Sequence, residues 1–214
     1  MSAAALGLAM SPWATAQRHE RAYWYPETDA LHAERRAEEA ARQAWYAGLL
    51  FVDLARPASV IELGAGPQGL LTRTRQARAA RLVAVEPMPL RPDDAARYDA
   101  AGAALWTVPV EALADSFPRM DPFEEVWMTN LLQHVEDPAR VLGIATRLAT
   151  RRLRLFEWLE EPVSIVHLHT LHADAIGAQL AAAGFTPEYL TEGQATSCGR
   201  WSQRFVAGLW RRTT

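Results

Sequence analysis

Val60-Ile61-Glu62-Leu63-Gly64-Ala65-Gly66-Pro67-Gln68-Gly69 is an apolar run that passes directly into a glycine turn. The run has the length and branched side chains of a buried strand. The glycines after it let the backbone turn sharply and let a ligand approach without meeting a side chain. Such turns punctuate many strand-helix junctions, so the reading depends on what surrounds this one. Downstream, Leu82-Val83-Ala84-Val85 forms a second apolar run that ends in Glu86, 22 residues after Gly64. That offset agrees with the roughly 20 residues between a glycine turn and an acid whose carboxylate receives both hydroxyls of a ribose.

Around this pair, short β-branched runs over 59–63, 81–86, 104–108 and 125–129 alternate with helical patterns over 69–79, 93–101 and 138–148. The alternation predicts a parallel sheet covered on both faces. After a fifth run at 153–158 and a helix over 171–183, candidate strands at 187–190 and 203–209 follow each other with no helix between them. They predict an antiparallel hairpin on the sheet edge. Upstream, residues 27–54 interleave charges with Leu31, Ala40, Trp45, Leu49 and Leu50 at helical spacing, giving one long or two short helices. The expected fold is α/β: a doubly wound, mostly parallel seven-stranded sheet with a C-terminal antiparallel hairpin and an N-terminal helical extension. The extension covers residues 1–55 and the sheet domain 56–214.

The composition is consistent with one such core, since 50% of the residues are hydrophobic. A formal net charge of -3 disfavours nucleic acid and acidic membranes as partners. Every one of the 22 basic residues is arginine, which reads as coding bias rather than chemistry. Cys198 is the only cysteine, so neither an internal disulfide nor a cysteine-rich zinc site can form, and a reducing, cytoplasmic setting is expected. The first ten residues are small and apolar but lack a positive flank, and no run approaches the roughly 20 apolar residues of a membrane span.

Glu62 discriminates between ligands. At the carboxyl end of the first strand, a carboxylate favours a cationic ligand such as S-adenosylmethionine and repels the pyrophosphate of NAD. The same carboxylate could also serve only to hold the loop by accepting backbone N–H bonds. With these residues, the chain from about Val60 onward resembles the class I S-adenosylmethionine-dependent methyltransferases. The resemblance implies that Glu62, Gly64, Ala65 and Gly66 form the cofactor's glycine-turn motif, with Glu62 near its amino acid moiety. It implies further that Glu86 receives the ribose, and that Pro87 and Met88 line one side of the adenine. Thr107-Val108-Pro109-Val110-Glu111 is similar to the segment after the family's third strand, which puts Val110 and Glu111 beside the adenine. Residues 125–138, ending in His134-Val135-Glu136-Asp137-Pro138, are similar to the fourth strand and its following turn. By that similarity Asn130 and Leu131 approach the methionine part and His134 lies near the reacting methyl.

Two features depart from the family pattern: Pro67-Gln68 stands before the third glycine, and Ala149-Thr150-Arg151-Arg152 replaces the usual loop before the fifth strand. The end of that strand carries Glu157 and Trp158, followed by His167-Leu168-His169-Thr170-Leu171-His172. Strand ends of this kind face ligand pockets. If extended, His167 and His169 share one face, as metal ligands with His172 or Glu157, as acceptor-binding groups, or as ordinary hydrogen-bonded histidines. Metal is the weakest of the three, and no metal is assigned.

The catalytic candidates are His134, Glu157, His167 and His169, any base being needed only for a hydroxyl or protonated amine acceptor. Tyr23, Trp24 and Tyr25 suggest a lid over the pocket or plain core packing. The resulting expectation is methyl transfer to oxygen or nitrogen of a small molecule. A nicotinamide-dependent oxidoreductase and a noncatalytic cofactor-binding protein stand as alternatives.

Overall fold

The structure, a computed structural model, describes residues 10–52, 57–73, 81–117, 119–197 and 201–213. Seven strands run in the order β3-β2-β1-β4-β5-β7-β6: β1 Ser59–Leu63, β2 Arg81–Val85, β3 Ala103–Trp106, β4 Phe123–Thr129, β5 Ala149–Leu159, β6 Phe185–Ser197 and β7 Trp201–Arg212. The first five pair in parallel, and β7 pairs antiparallel with both β5 and β6. The expected sheet and its edge hairpin are both present. The order reverses at β1, which lies between β2 and β4, and this switch point opens a crevice at the carboxyl ends of the strands.

Alternation along each strand feeds two cores. Ile61, Leu63, Val126, Met128, Leu153 and Leu155 point toward α4 Leu113–Ser116, α5 Pro138–Leu148 and α6 Ala173–Ala182. Val60, Trp127, Phe156 and Trp158 point the other way, against Tyr46 and Leu50 of α2 Asp29–Leu50 and Tyr98 of α3 Pro92–Ala100. The N-terminal segment thus supplies one layer of the sandwich through α2. Before it comes α1 Pro12–Trp24, capped by Ser11, whose hydroxyl accepts from the amide of Ala14, with Pro12 in its first turn. Its one buried residue is Ala16.

Three sequence expectations change. The helix expected over 69–79 is replaced, within the described residues, by 3-10 turns at Gly66–Gln68 and Leu70–Thr72. Glu62 captures the amides of Leu70 and Leu71 at 2.7 and 2.9 Å, which competes with helical hydrogen bonding there. Residues 74–79, together with 1–9, Leu54 and Cys198, lie outside the described residues. Ala149-Thr150-Arg151-Arg152, expected as the loop before the fifth strand, opens β5 itself, at the end of the strand remote from the crevice. The hairpin strands also run well beyond their expected cores. Among the described residues no helix is long and apolar enough to cross a membrane.

One ion pair binds α2 to the sheet. Arg154 on β5 grips Glu125 on β4 with two nitrogens, at 2.8 and 3.1 Å, and donates to the carbonyl of Leu50 at 2.6 Å. The indole N–H of Trp127 reaches the same carboxylate at 2.9 Å. Both charged side chains are completely buried. Removing one partner of such a pair is costly because the other charge stays in the interior. Arg154→Leu is expected to lower stability by about 3–5 kcal/mol in urea denaturation, and adding Glu125→Leu to recover much of that loss. A single-variant loss below about 1 kcal/mol would show that the pair does not secure this layer.

Candidate active site

Three carboxylates end three of the strands, and each gathers two backbone amides. Glu62 on β1 holds the amides of Leu70 and Leu71. Glu86, directly after β2, holds Gly66 at 2.8 Å and Met88 at 3.0 Å. Glu157 on β5 holds Leu131 at 2.9 Å and Leu132 at 3.0 Å. Burial pushes all three up to about 7, against the opposing pull of the amide donors. Tyr98 adds a fourth tie. Its buried hydroxyl donates to the carbonyl of Gly66 at 2.7 Å and accepts from the amide of Gly69 at 2.8 Å.

The turn these groups hold is shaped for close approach. Gly64 has φ +67°, and a side chain there would collide with Leu131. Gly66 has φ +61° and faces open space. Across the crevice Asn130 caps β4 with φ 52°, a left-handed conformation that asparagine tolerates better than most residues.

Between these strand ends and the two N-terminal helices lies a cavity of about 340 Å³, within the range of small-molecule sites. Gly64, Ala65 and Gly66 form its floor, with Glu86, Pro87 and Met88 on the β2 side, Val110 and Glu111 after β3, and Asn130, Leu131 and His134 after β4. All the residues expected at the cofactor, Glu62 excepted, therefore share one space. Glu62 does not line it: the side chain is fully buried, with both oxygens committed to the loop. Glu111 lines the cavity while one oxygen accepts from the amide of Glu136 at 2.9 Å.

The catalytic candidates divide. Glu157 is a clamp, fully buried and absent from the lining, because residue alternation turns it toward the α5 and α6 face. His169 is also turned away, its Nε2 lying 2.9 Å from the carbonyl of Val135. The loop after β5 is irregular, so His167 and His169 do not share a face. His134 and His167 do line the cavity, their rings meeting edge to face at 5.0 Å. His167 Nδ1 lies 2.8 Å from Glu161, and His134 Nδ1 lies 2.5 Å from Glu20 of α1. Burial is the largest influence on the His134 imidazole and pulls it down, but Glu20, Glu157 and Glu161 together outweigh it and the net direction is up. His172 caps α6 without a side-chain hydrogen bond. Among the described residues no group of three or more His, Cys, Asp or Glu side chains could hold a metal ion.

The helices supply what the motifs did not indicate. Trp13, Gln17, Glu20 and Trp24 recur along one face of α1, and that face lines the cavity together with the adjacent Tyr23. From α2 come Glu39, Arg42 and Gln43, tied together by a 2.8 Å ion pair and a 2.8 Å hydrogen bond. The 13-17-20-24 spacing was available in the sequence, as was the Ser11-Pro12 helix start. Neither carries a family motif.

No protein-family model matches this chain, and no curated protein matches it. Solved structures do. Magnesium protoporphyrin IX methyltransferase from Synechocystis, with bound S-adenosylmethionine, superposes with a TM-score of 0.64 at 14% identity, covering 97% of this chain and 100% of its own. The 1,6-didemethyltoxoflavin-N1-methyltransferase of Burkholderia thailandensis gives 0.64 at 18% identity over 97% and 93%. The N-methyltransferase NodS of Bradyrhizobium japonicum, with S-adenosylhomocysteine, gives 0.65 at 13% identity over 94% and 99%. Strand order, edge hairpin and glycine turn agree with that likeness: the chain has the Rossmann-like fold of the class I S-adenosylmethionine-dependent methyltransferases.

Proposed function

We propose that this protein is an S-adenosylmethionine-dependent methyltransferase acting on oxygen or nitrogen of a small molecule. One observation carries the reading: the open backbone at Gly66, the Glu86 carboxylate and the β4 tip at Asn130 converge on one cavity at the switch point of the sheet. A side chain at Gly66 would project into that space, so the residues present fit a ligand lying against the turn. Glu86 already spends one interaction per oxygen on an amide, and each oxygen keeps capacity for a ribose hydroxyl. Met88 and Val110 offer apolar surface for an adenine.

The charge of the lining selects the cofactor. Glu20, Glu39, Glu86 and Glu111 surround the cavity with Arg42 among them, an arrangement that favours a cationic ligand over a pyrophosphate. Glu39 and Arg42, opposite in sign and adjacent on α2, suit the ammonium and carboxylate of an amino acid. They take the place expected for Glu62. When bound, S-adenosylmethionine supplies a methyl group on a sulfonium, ready for direct displacement. The protein's work is then to align the acceptor, exclude water and, where the acceptor carries a proton, receive it at His134 or His167.

The first helix acts as a lid in this reading. Its cavity face carries Trp13, Trp24 and the neighbouring Tyr23, while little of it is packed into the core. Elements with few buried contacts open at low free-energy cost, and flat rings suit a flat acceptor. The similar proteins support a small acceptor: two are methyltransferases named for magnesium protoporphyrin IX and for 1,6-didemethyltoxoflavin. The acidic composition and single cysteine support a cytoplasmic enzyme without a nucleic-acid substrate.

Titration of the melting temperature tests the cofactor. S-adenosylhomocysteine and S-adenosylmethionine are expected to raise it saturably, and NAD and NADP to leave it unchanged. A rise with the nicotinamide nucleotides alone would establish an oxidoreductase. Binding without methyl transfer to any of a broad panel of phenols, amines and nitrogen heterocycles would favour a noncatalytic binding protein.

Glu86→Gln is expected to weaken S-adenosylhomocysteine binding about tenfold, corresponding to about 1.4 kcal/mol. The pH dependence has a definite sign. Glu86 is pushed up to about 7, and its charged form is the better acceptor for hydroxyl donors. Affinity in calorimetry should therefore rise as the pH passes upward through about 7, and the rise should shrink in Glu86→Gln.

A further inference from the structure

His134 is held by a directed chain of contacts whose last member comes from outside the sheet domain. Gln133 Nε2 donates to Asn130 Oδ1 at 3.1 Å, which turns the Asn130 amide nitrogen toward His134 Nε2 at 3.4 Å. A nitrogen that faces an amide donor must be the lone-pair nitrogen, so the ring proton belongs on Nδ1. Nδ1 is the atom that lies 2.5 Å from Glu20 Oε1. The Asn130 contact is long enough to yield to a better donor, whereas the Glu20 contact is close and shielded: the two side chains are 14% and 23% exposed.

We propose that Glu20 is the positioning carboxylate of the catalytic histidine, so that the base is assembled only when α1 lies across the cavity. The inference rests on reading the cavity as a methyl-transfer site and deepens it by assigning the acceptor a proton: a hydroxyl or an N–H. As the acceptor heteroatom bonds to the methyl carbon, the carbon–sulfur bond breaks and its electron pair stays on sulfur. His134 Nε2 takes the acceptor's proton. The imidazolium so formed is stabilised by the charge of the Glu20 carboxylate that lies against Nδ1. The proton returns to water once the cavity opens. A carboxylate acceptor would need none of this apparatus.

Other charges also face the ring: Glu157 from β5, Glu161 and His167 from the following loop, and Glu86 from the end of β2. Glu20 is the one in contact, so it should dominate. The test reads the His134 ring by nitrogen-15 NMR in the full-length protein without acceptor, with the signal assigned through His134→Gln. In the wild type the Nδ1–H tautomer should prevail, with a midpoint above the usual 6.5 or so. Glu20→Gln should lower that midpoint by about one unit and leave the rest of the spectrum folded. Glu20→Asp should fall between the two, and Glu161→Gln should move the midpoint less than Glu20→Gln does.

An unchanged midpoint in Glu20→Gln would overturn the proposal, as would an equal or larger effect from Glu161→Gln. The melting-temperature titration with S-adenosylhomocysteine is independent of these signals. Failure of the wild type to bind removes the methyltransferase reading, while binding with an unresponsive His134 removes only the role of Glu20.

Discussion

The cavity depends on buried carboxylates that hold loops. A parallel sheet ends in a row of turns whose amides have no partner strand, and a turn left free would collapse into the crevice or swing out of it. Glu62, Glu86 and Glu157 prevent both by each taking two amides. The amides of a buried turn must find acceptors, and a carboxylate offers two oxygens at fixed spacing where a carbonyl offers one. Glu62 takes its two amides on separate oxygens, whereas Glu157 takes both on Oε1. One hangs from β1 on the α2 face and the other from β5 on the α5 face, so that both sides of the switch point are held apart.

The arrangement costs solvation, and the cost appears in the titration of the three groups. Each is raised because burial penalises its charge more than two amide donors compensate. The penalty is least wasteful for Glu86, whose carboxylate also borders the cavity and can acquire further donors from a ligand. Glu62 and Glu157 have no such outlet. They are structural acids at positions where a site acid would be sought, and they add negative potential near a cavity already lined with glutamates. A cation entering that space is stabilised by the whole set, and an anion is opposed by it.

The parts of this protein that were legible in its sequence are those written in short range. Strand periodicity, the glycine turn and the offset to Glu86 each depend on neighbours within one strand-turn unit, and the sheet and much of the cavity wall follow from them. Glu157 and Glu62 both hold loops, the alternative the sequence had allowed for Glu62, because the end of a strand fixes that a side chain is near the crevice without fixing which way it leaves the sheet. For Glu157, strict alternation from Leu155 to Leu159 turns it to the face of α5. His169 follows the hydrogen-bonded alternative, meeting the carbonyl of Val135, because the loop that carries it is irregular and not extended. The contribution of α1 was hidden for another reason. Its cavity stripe of Trp13, Gln17, Glu20 and Trp24 mixes polar and aromatic residues, so it has no apolar periodicity to announce a buried face.

That mixed stripe separates α1 from α2. The second helix is anchored by Tyr46 and Leu50 in the core and by the carbonyl of Leu50 on Arg154, whereas the first is joined to the body chiefly through what it presents to the cavity. A helix whose inward face is functional is weakly held when that face has nothing to contact and firmly held when it does. In the proposed closed state, ligand and helix would stabilise each other, because each would bury the other's apolar surface and shield the Glu20–His134 pair from water. Under the proposed mechanism, a carboxylate on α1 and an imidazole on the turn after β4 would make proton acceptance conditional on closure. An open site would have the histidine without its orienting partner, so deprotonation would be confined to the state in which an acceptor is already enclosed.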